Sequence, residues 1–437
     1  MKFLDELASR RRFGMKPGLE AIRSVLSALG NPQRTFRAIH VAGTNGKGAV
    51  CAVLDAALRA VSGRSLRVGR YTSPHLVSLN ERFFLDGIPV GDAELEDAAS
   101  RVLAALSHPP AAAAAEFTFF EALTAAAFLI YSRAKVDFAV LECGLGGRLD
   151  ATNVCEPALC VITRIGLDHC DWLGGTLEEI AAEKAGIVKP GVPVVLGRND
   201  DCVRAVVEER ARKAGAPFVY APDVADEREI PSGFSLSGSF NRENAVTAIA
   251  AMKTLFGGDM PDGAADGFSR VAWPGRFQRV GDCLIDGAHN PPAAKALAAS
   301  LSEAAGGDCP RRRYVLVFGA CADKDVGEVL RTLAPFAARG LAVRTNNPRS
   351  LSAEDAAEMM RSAGIDAMPS PSLREALAVR RELYADDVSE TLVCGSLFLA
   401  GEALVELGAC PAPAGFDPSE SLACSPGACG NVKHKTE

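Results

Sequence analysis

Short runs of β-branched and aliphatic residues alternate along this chain with longer stretches rich in alanine and leucine. The runs at 36–42, 66–71, 137–141, 159–164 and 192–196 are predicted strands, and a second series follows at 283–286, 314–318, 341–344 and 391–394. The stretches between them, such as 48–60, 177–185, 292–305 and 352–363, read as helices. Alternation of this kind implies parallel sheets covered by helices on both faces. Residues 234–280 are richer in Gly, Ser and Asn and separate the two series. The expected organisation is an N-terminal domain at 1–274, a hinge linker at 275–283, a smaller C-terminal α/β domain at 284–409 and a tail at 410–437. The tail is rich in Pro, Gly, Ser and Cys, has few large apolar residues and is expected to be poorly ordered.

Bulk composition narrows the function classes. The chain has 437 residues, enough for two cores, and a formal net charge of −7. That charge argues against general affinity for nucleic acid or anionic membrane. The first thirteen residues are charged and lack the apolar centre of a signal peptide. The most apolar stretch, 111–131, is interrupted by Glu116 and Glu121 and reads as a buried helix. A soluble, cytoplasmic monomer is expected. The 13 cysteines lie mostly in apolar runs, where a reduced thiol behaves as a small hydrophobe. Cys424, Cys429 and His434 lack the spacing of a zinc module, and the runs Arg10-Arg11-Arg12 and Arg311-Arg312-Arg313 read as solvated surface.

The strongest chemical signal is Ile39-His40-Val41-Ala42-Gly43-Thr44-Asn45-Gly46-Lys47-Gly48-Ala49. An apolar strand enters a glycine turn, then a lysine, then a helix. Such a loop turns backbone N–H groups toward phosphate oxygens, and the helix start adds partial positive charge. The N-terminal sheet is therefore expected to be of the P-loop ATPase type, with Asn45, Gly46, Lys47 and Gly48 on ATP and Lys47 reaching its β- and γ-phosphates. The alternative is an ordinary strand–turn–helix junction. The usual hydroxyl residue after the lysine is missing, since Gly48 and Ala49 follow, so Mg²⁺ must be held mainly elsewhere. Ser73, Glu142 and His169 follow the ends of neighbouring predicted strands, where open α/β sheets place their ligands. Each also has a plain reading, as a helix cap or loop residue. Glu142 is the most telling, because a carboxylate ending a buried strand needs a cationic partner.

At this point the chain resembles a family, the dihydrofolate and folylpolyglutamate synthases of the Mur-ligase superfamily. The likeness rests on Gly43-Thr44-Asn45-Gly46-Lys47-Gly48 and on Leu141-Glu142-Cys143-Gly144-Leu145-Gly146-Gly147-Arg148-Leu149-Asp150-Ala151-Thr152-Asn153. Gly14-Met15-Lys16-Pro17-Gly18-Leu19-Glu20, Tyr71-Thr72-Ser73-Pro74-His75, Glu183-Lys184-Ala185-Gly186, Pro274-Gly275-Arg276-Phe277-Gln278, Asp286-Gly287-Ala288-His289-Asn290-Pro291 and Gly395-Ser396-Leu397 match too, in the family's order.

The resemblance implies a Rossmann-like second domain and assigns roles. Ser73, Glu142 and His169 match magnesium ligands. Lys184 matches a lysine carbamylated in the family, whose new negative charge helps hold a second ion; its alternative is a plain surface lysine. Asn244, Arg276 and Asp286 match ATP-contacting positions, and His289 and Ser396 lie near the glutamate site. Thr118, Phe119, Phe120 and Glu121 match a pterin-substrate segment, with Leu149, Asp150 and Ala151 in a second one. For Phe119 and Phe120 the alternative is helix core.

The activity so implied is ATP-dependent ligation of L-glutamate to dihydropteroate and to reduced folates through an acyl phosphate, with Lys47, Lys184 and His289 as catalytic candidates. Departures from the family pattern are Ala49, where Ser or Thr is usual, Phe240, where His is common, and Cys143 for Val. Three alternatives stay open: a monofunctional folylpolyglutamate synthase, another Mur-type amide ligase, and a nucleotide-binding regulatory module without catalysis. Gly144-Leu145-Gly146-Gly147 does not follow the dinucleotide fingerprint, which argues against a dehydrogenase.

Overall fold

Strand β1 (Arg37–Ala42) shows how the first core is built: every residue after Arg37 is buried. Side chains alternate across a sheet, and here Ile39 and Val41 enter one apolar layer while Ala38 and Ala42 enter layers on the other side. A strand covered on both faces reads as a continuous apolar run. That is why the segment was visible as a strand at all.

The computed structural model describes residues 18–106, 117–306, 314–383 and 390–410. The chain divides into two compact units, Met1–Pro274 and Gly275–Glu437. The tail from 411 onward, both triple-arginine runs and the 111–116 part of the apolar stretch lie outside the described residues, as do Cys424, Cys429 and His434. Among the described residues no helix is long and apolar enough to cross a membrane.

The first unit contains β2 (Val68–Tyr71), β3 (Phe83–Leu85), β4 (Ile88–Pro89), β5 (Phe138–Glu142), β6 (Pro157–Ile162), β7 (Val194–Leu196) and β8 (Phe218–Tyr220). With β1 they form an eight-stranded sheet in the order β4-β3-β2-β5-β1-β6-β7-β8. The pairs from β2 across to β8 are parallel, whereas β3 and β4 add antiparallel. β3, β4 and β8 escaped the sequence reading, although the turn that joins β3 to β4 is legible. Asp86 and Gly87 both have positive φ, at 51° and 82°, the conformation of a two-residue hairpin turn.

The helix Lys47–Arg59 is buried from Gly48 to Leu58. It packs with the helices Ser239–Phe256 and Ala264–Phe268 on one face of the sheet, through Val50, Val53, Leu54, Ile249, Met252 and Phe268. Ser239–Phe256 lies in a region read as a separator. Its polar first turn and preceding glycine hid an alanine-rich helix whose residues from Asn244 to Met252 are all buried. The other face is covered by Glu20–Ala28, Asp92–Ala105 and Phe119–Ala134 over β1, β2 and β5, and by Leu177–Lys184 and Asp201–Ala214 over β6 and β7.

The second unit holds β9 (Gln278–Val280), β10 (Cys283–Ile285), β11 (Tyr314–Phe318), β12 (Ala337–Ala342), β13 (Ala367–Pro369) and β14 (Glu390–Cys394), in the order β13-β12-β11-β14-β10-β9. All pairs are parallel except β9 with β10. The stretch 275–283, expected as linker, thus includes an edge strand of this sheet; at three residues it is too short to show a period.

Asp55 of the helix Lys47–Arg59 forms a buried ion pair with Arg70 of β2: Arg70 Nη1 is 3.5 Å from Asp55 Oδ2, and both side chains are almost fully covered. Removing one partner leaves an uncompensated buried charge. Asp55→Ala is expected to destabilise the first unit by about 3–5 kcal/mol. Urea unfolding followed by tryptophan fluorescence reads this directly, because Trp172 and Trp273, the only tryptophans, both belong to that unit. A shift worth under about 1 kcal/mol would show that the pair is solvated.

Candidate active site

β1 is flanked by β5 and β6, and the chain leaves it toward opposite sides of the sheet. Ligands of open α/β sheets bind at the carboxyl ends of strands around such a switch point. The loop after β1, residues 43–46, occupies that place and is held from several directions. The N–H groups of Thr44 and Asn45 donate to the Arg164 carbonyl at 2.9 and 3.2 Å. Thr163 Oγ1 donates to the Asn45 carbonyl at 2.7 Å, and Thr44 Oγ1 to that of Gly166 at 3.0 Å. Side chains press on the bare loop as well. A Cβ at Gly43 would overlap Thr163 Oγ1, and one at Gly46 would overlap Asn244 Oδ1. Gly46 also has φ 86° and caps the helix Lys47–Arg59 without a side-chain acceptor. The first N–H groups of that helix are therefore left to an external anion.

Around this loop the structure gathers three of the expected groups. Glu142, the last residue of β5, is buried; its Oε2 accepts from the Ser73 N–H at 3.0 Å, and its Oε1 lies 4.0 Å from Lys47 Nζ. Lys47 Nζ also donates to the Thr44 carbonyl at 3.1 Å, folded back onto its own loop. Lys184 is not a surface lysine. It is 3% exposed, donates from Nζ to the Gly43 carbonyl at 2.8 Å, and has its pKa pushed down to about 7 by burial and then by the charge of Lys47. The 144–148 loop packs on the Lys184 segment: Arg148 N donates to the Glu183 carbonyl at 2.9 Å, and no side chain fits at Gly147 against the Lys184 and Glu183 carbonyls.

His169 differs from this group. It starts the short helix Cys170–Leu173 with φ 53°, and its exposed ring lies 3.8 Å from Asp168. Among the described residues no three His, Cys, Asp or Glu side chains gather as a metal cage. The donor set is still suited to Mg²⁺, which binds through one or two protein oxygens together with substrate phosphates. Ser73 and Glu142 meet that requirement beside the phosphate loop.

Thr118 caps the helix Phe119–Ala134 in a capping box: Glu121 N donates to Thr118 Oγ1 at 3.2 Å, and Glu121 Oε2 accepts from the Thr118 N–H and hydroxyl at 2.8 Å each. Asp150 is likewise turned inward, accepting from Leu145 N at 2.9 Å and from the N–H and hydroxyl of Thr152. Burial raises its pKa, against the hydrogen bonds it receives. Both carboxylates thus hold backbone in shape. Phe120 does face the signature loop: its ring fills the space over Gly144, where a Cβ would clash, and lies 6.0 Å from the Tyr71 ring. Phe119 is half-buried beside it, Leu149 is partly exposed and Ala151 is buried. Sequence reading overlooked His40 on β1. Its Nε2 lies 2.8 Å from Thr152 Oγ1 and 3.1 Å from Cys143 Sγ, and burial, with a lesser effect of Lys189, pushes its pKa down to about 3. A neutral imidazole thus ties the nucleotide-loop strand to the signature segment.

In the second unit, the ends of β10 and β14 bring Asp286, Gly287, His289 and Ser396 together through the bond from Gly395 N to the Ala288 carbonyl at 2.9 Å. Asp286 is buried and accepts from Phe277 N and Ala288 N, both at 2.8 Å. Burial raises its pKa while Arg276 opposes the rise. Arg276 lies over Gly287, His289 Nδ1 is 2.8 Å from the Gly287 carbonyl, and Ser396 caps Leu397–Glu406 by accepting from Phe398 N at 3.1 Å.

Known proteins share this organisation. Residues 41–227 match the Mur ligase middle domain and residues 275–397 the Mur ligase, glutamate ligase domain. The dihydrofolate synthase/folylpolyglutamate synthase of Bacillus subtilis is 36% identical over 358 residues, 75% of this chain and 81% of that protein. Escherichia coli FolC in complex with DHPP and ADP superposes with a TM-score of 0.81 at 29% identity, over 93% of this chain and 97% of that one. The bifunctional folylpolyglutamate synthase/dihydrofolate synthase of Yersinia pestis complexed with AMPPNP and Mn ion gives a TM-score of 0.80 at 29% identity, over 93% and 97% of the two chains.

The contact of Gly46 with Asn244 leaves no room for a side chain and demands a positive φ. Gly46→Ala is expected to lower ADP affinity by at least about tenfold, or 1.4 kcal/mol, with the circular dichroism spectrum retained. Calorimetric titration showing unchanged affinity would mean that this loop does not carry the nucleotide.

Proposed function

The chain belongs to the dihydrofolate synthase/folylpolyglutamate synthase family of Mur ligases, and on that footing we propose that it uses ATP to join L-glutamate to dihydropteroate and to reduced folates. The observation that carries the reading is Lys47 in a backbone-lined phosphate loop, 4.0 Å from the buried carboxylate of Glu142.

A carboxylate does not condense with an amine unaided, because hydroxide or oxide is a poor leaving group. Attack of the substrate carboxylate oxygen on the γ-phosphorus of ATP forms the acyl phosphate and releases ADP. The glutamate amine, as the free base, then adds to the acyl carbon, and phosphate leaves as the amide forms and the nitrogen loses its proton. Lys47 and the N–H groups at the start of Lys47–Arg59 stabilise charge on the transferring phosphoryl group. Asn45, Gly46, Gly48 and Asn244 shape the nucleotide site, and the resemblance assigns Arg276 and Asp286 to nucleotide as well. His289 and Ser396 serve glutamate. Ser73, Glu142 and His169 would hold Mg²⁺, which supplies Lewis-acid neutralisation of the phosphates.

Lys184 reacts as its neutral amine with CO₂, giving a carbamate and a proton; the carbamate is the anion suited to a second Mg²⁺. With its pKa lowered to about 7 by burial, far more of this side chain is neutral at pH 7 than the well under a thousandth of an ordinary lysine. The pterin ring rests in the segment of Phe119, Phe120, Leu149 and Ala151, whose walls Glu121, Thr118 and Asp150 hold in place through their caps. The protein acts as a cytoplasmic monomer.

ADP release is the direct assay. It is expected to require both dihydropteroate and glutamate, to proceed also with reduced folate, and to fall by roughly 10²–10³-fold in Lys47→Ala. Turnover with reduced folate alone would restrict the enzyme to polyglutamate extension. Full activity in Lys47→Ala would remove the assignment altogether.

The carbamate has its own readout. In [¹³C]bicarbonate the wild-type protein is expected to show a carbamate carbon resonance that grows from pH 6 to pH 8, as the lysine passes from ammonium to amine. Lys184→Arg should lack the signal. A wild-type spectrum without it at pH 8 would contradict the modification.

A further inference from the structure

Trp273 precedes the last residue of the first unit, and its half-buried indole rests on the nucleotide loop. A Cβ at residue 48 would overlap its Cζ2 and lie 2.8 Å from Cη2. Gly48 is not among the residues with positive φ, so the backbone there does not itself require glycine. The indole does. A phosphate-loop lysine is ordinarily followed by a hydroxyl residue; here that side chain's volume belongs to an aromatic ring from about 225 residues further along the chain.

The indole is held in turn. The Arg70 guanidinium is 5.6 Å from its ring, and Arg70 is itself fixed by Asp55 at 3.5 Å and by the Phe84 ring at 3.9 Å. Asp55 lies two turns along the helix that begins at Lys47. Indole, guanidinium and carboxylate therefore brace the start of the nucleotide helix against its own middle. Three residues after Trp273 comes Arg276.

We propose that Trp273 is a positioning residue for ATP: its indole takes the place of a side chain at residue 48 and sets the first turn of the nucleotide helix, so that Lys47 and the helix N–H groups are in position before ATP arrives. This rests on the reading of that loop as the ATP site. Preorganisation of this kind appears in nucleotide affinity, and recognition of glutamate, assigned above to His289 and Ser396, should be unchanged.

A double-substitution cycle on residues 48 and 273 tests the idea, with ADP affinity from calorimetry and KM values from ADP release. Trp273→Ala is expected to weaken ADP binding and raise KM for ATP by about tenfold while KM for glutamate stays within about twofold. Trp273→Phe, which keeps an aromatic ring, should restore most of the loss. Gly48→Ala should weaken ADP binding by at least about tenfold in the presence of Trp273 and by no more than about twofold once residue 273 is alanine, a coupling in the range shown by contacting residues. Equal effects of Gly48→Ala in both backgrounds would overturn the proposal, as would a Trp273→Ala protein with native ADP affinity.

Fluorescence gives a second reading that does not depend on folding of a cavity variant. With Trp172→Phe, Trp273 is the only tryptophan left, and ADP should change its emission saturably at the calorimetric Kd. Emission unmoved by saturating ADP would overturn the proposal, whereas wild-type protein that binds no ADP would overturn the ATP-site reading beneath it as well.

Discussion

Three side chains press against a backbone that has none at residues 43, 46 and 48, and much of the first unit can be understood from that constraint. Thr163 comes from the end of β6, Asn244 from the helix Ser239–Phe256, and Trp273 from the last residues of the unit. Each sits where a Cβ would have to go. Interiors packed to crystal-like density do not absorb an added methyl group cheaply. The loop is therefore shaped by elements distant in sequence, and its N–H groups are arranged by the fold and not by the ligand. The switch in strand order around β1 supplies the opening beside the first turn of the helix Lys47–Arg59.

Charge is arranged around the same loop with similar economy. Two lysines and one buried carboxylate lie near it, and Lys47 meets Glu142 at salt-bridge distance. Lys184 donates to the Gly43 carbonyl and feels the charge of Lys47, with lesser opposing effects of Asp168 and Asp150. Burial and like charge act in the same direction, so this lysine becomes a nucleophile near neutrality. The same two effects would be lost if the residue were exposed. The carbamylation proposed above thus follows from burial of the side chain, in a segment whose backbone is packed against the 144–148 loop.

Much of this was legible in the sequence, and the exceptions have physical reasons. Buried parallel strands announce themselves as apolar runs, and the Gly-Lys loop carries its mechanism in its composition. Asp86-Gly87 was equally legible as a hairpin turn and was passed over. What residue types could not tell was the direction of a carboxylate. Glu121 and Asp150 are expected beside a heterocycle, and the fold adds that both close caps on neighbouring backbone. Short edge strands such as β9 carry no period to detect. Gly48 looked like a departure from the phosphate-loop pattern, and its cause stands at residue 273, beyond the reach of any local window. His40 looked like one polar residue in an apolar strand; only the fold shows it meeting Thr152 and Cys143.

The proposed chemistry activates the substrate carboxylate as an acyl phosphate on this loop. Isotope transfer measures that step itself. Dihydropteroate carrying ¹⁸O in both carboxylate oxygens would be turned over with ATP and glutamate, and the released phosphate examined by mass spectrometry or by the isotope shift of its ³¹P resonance. One ¹⁸O per phosphate is the expected result, because the bridging oxygen leaves with phosphorus when the amine attacks. Phosphate free of ¹⁸O, formed in step with amide product, would contradict the account.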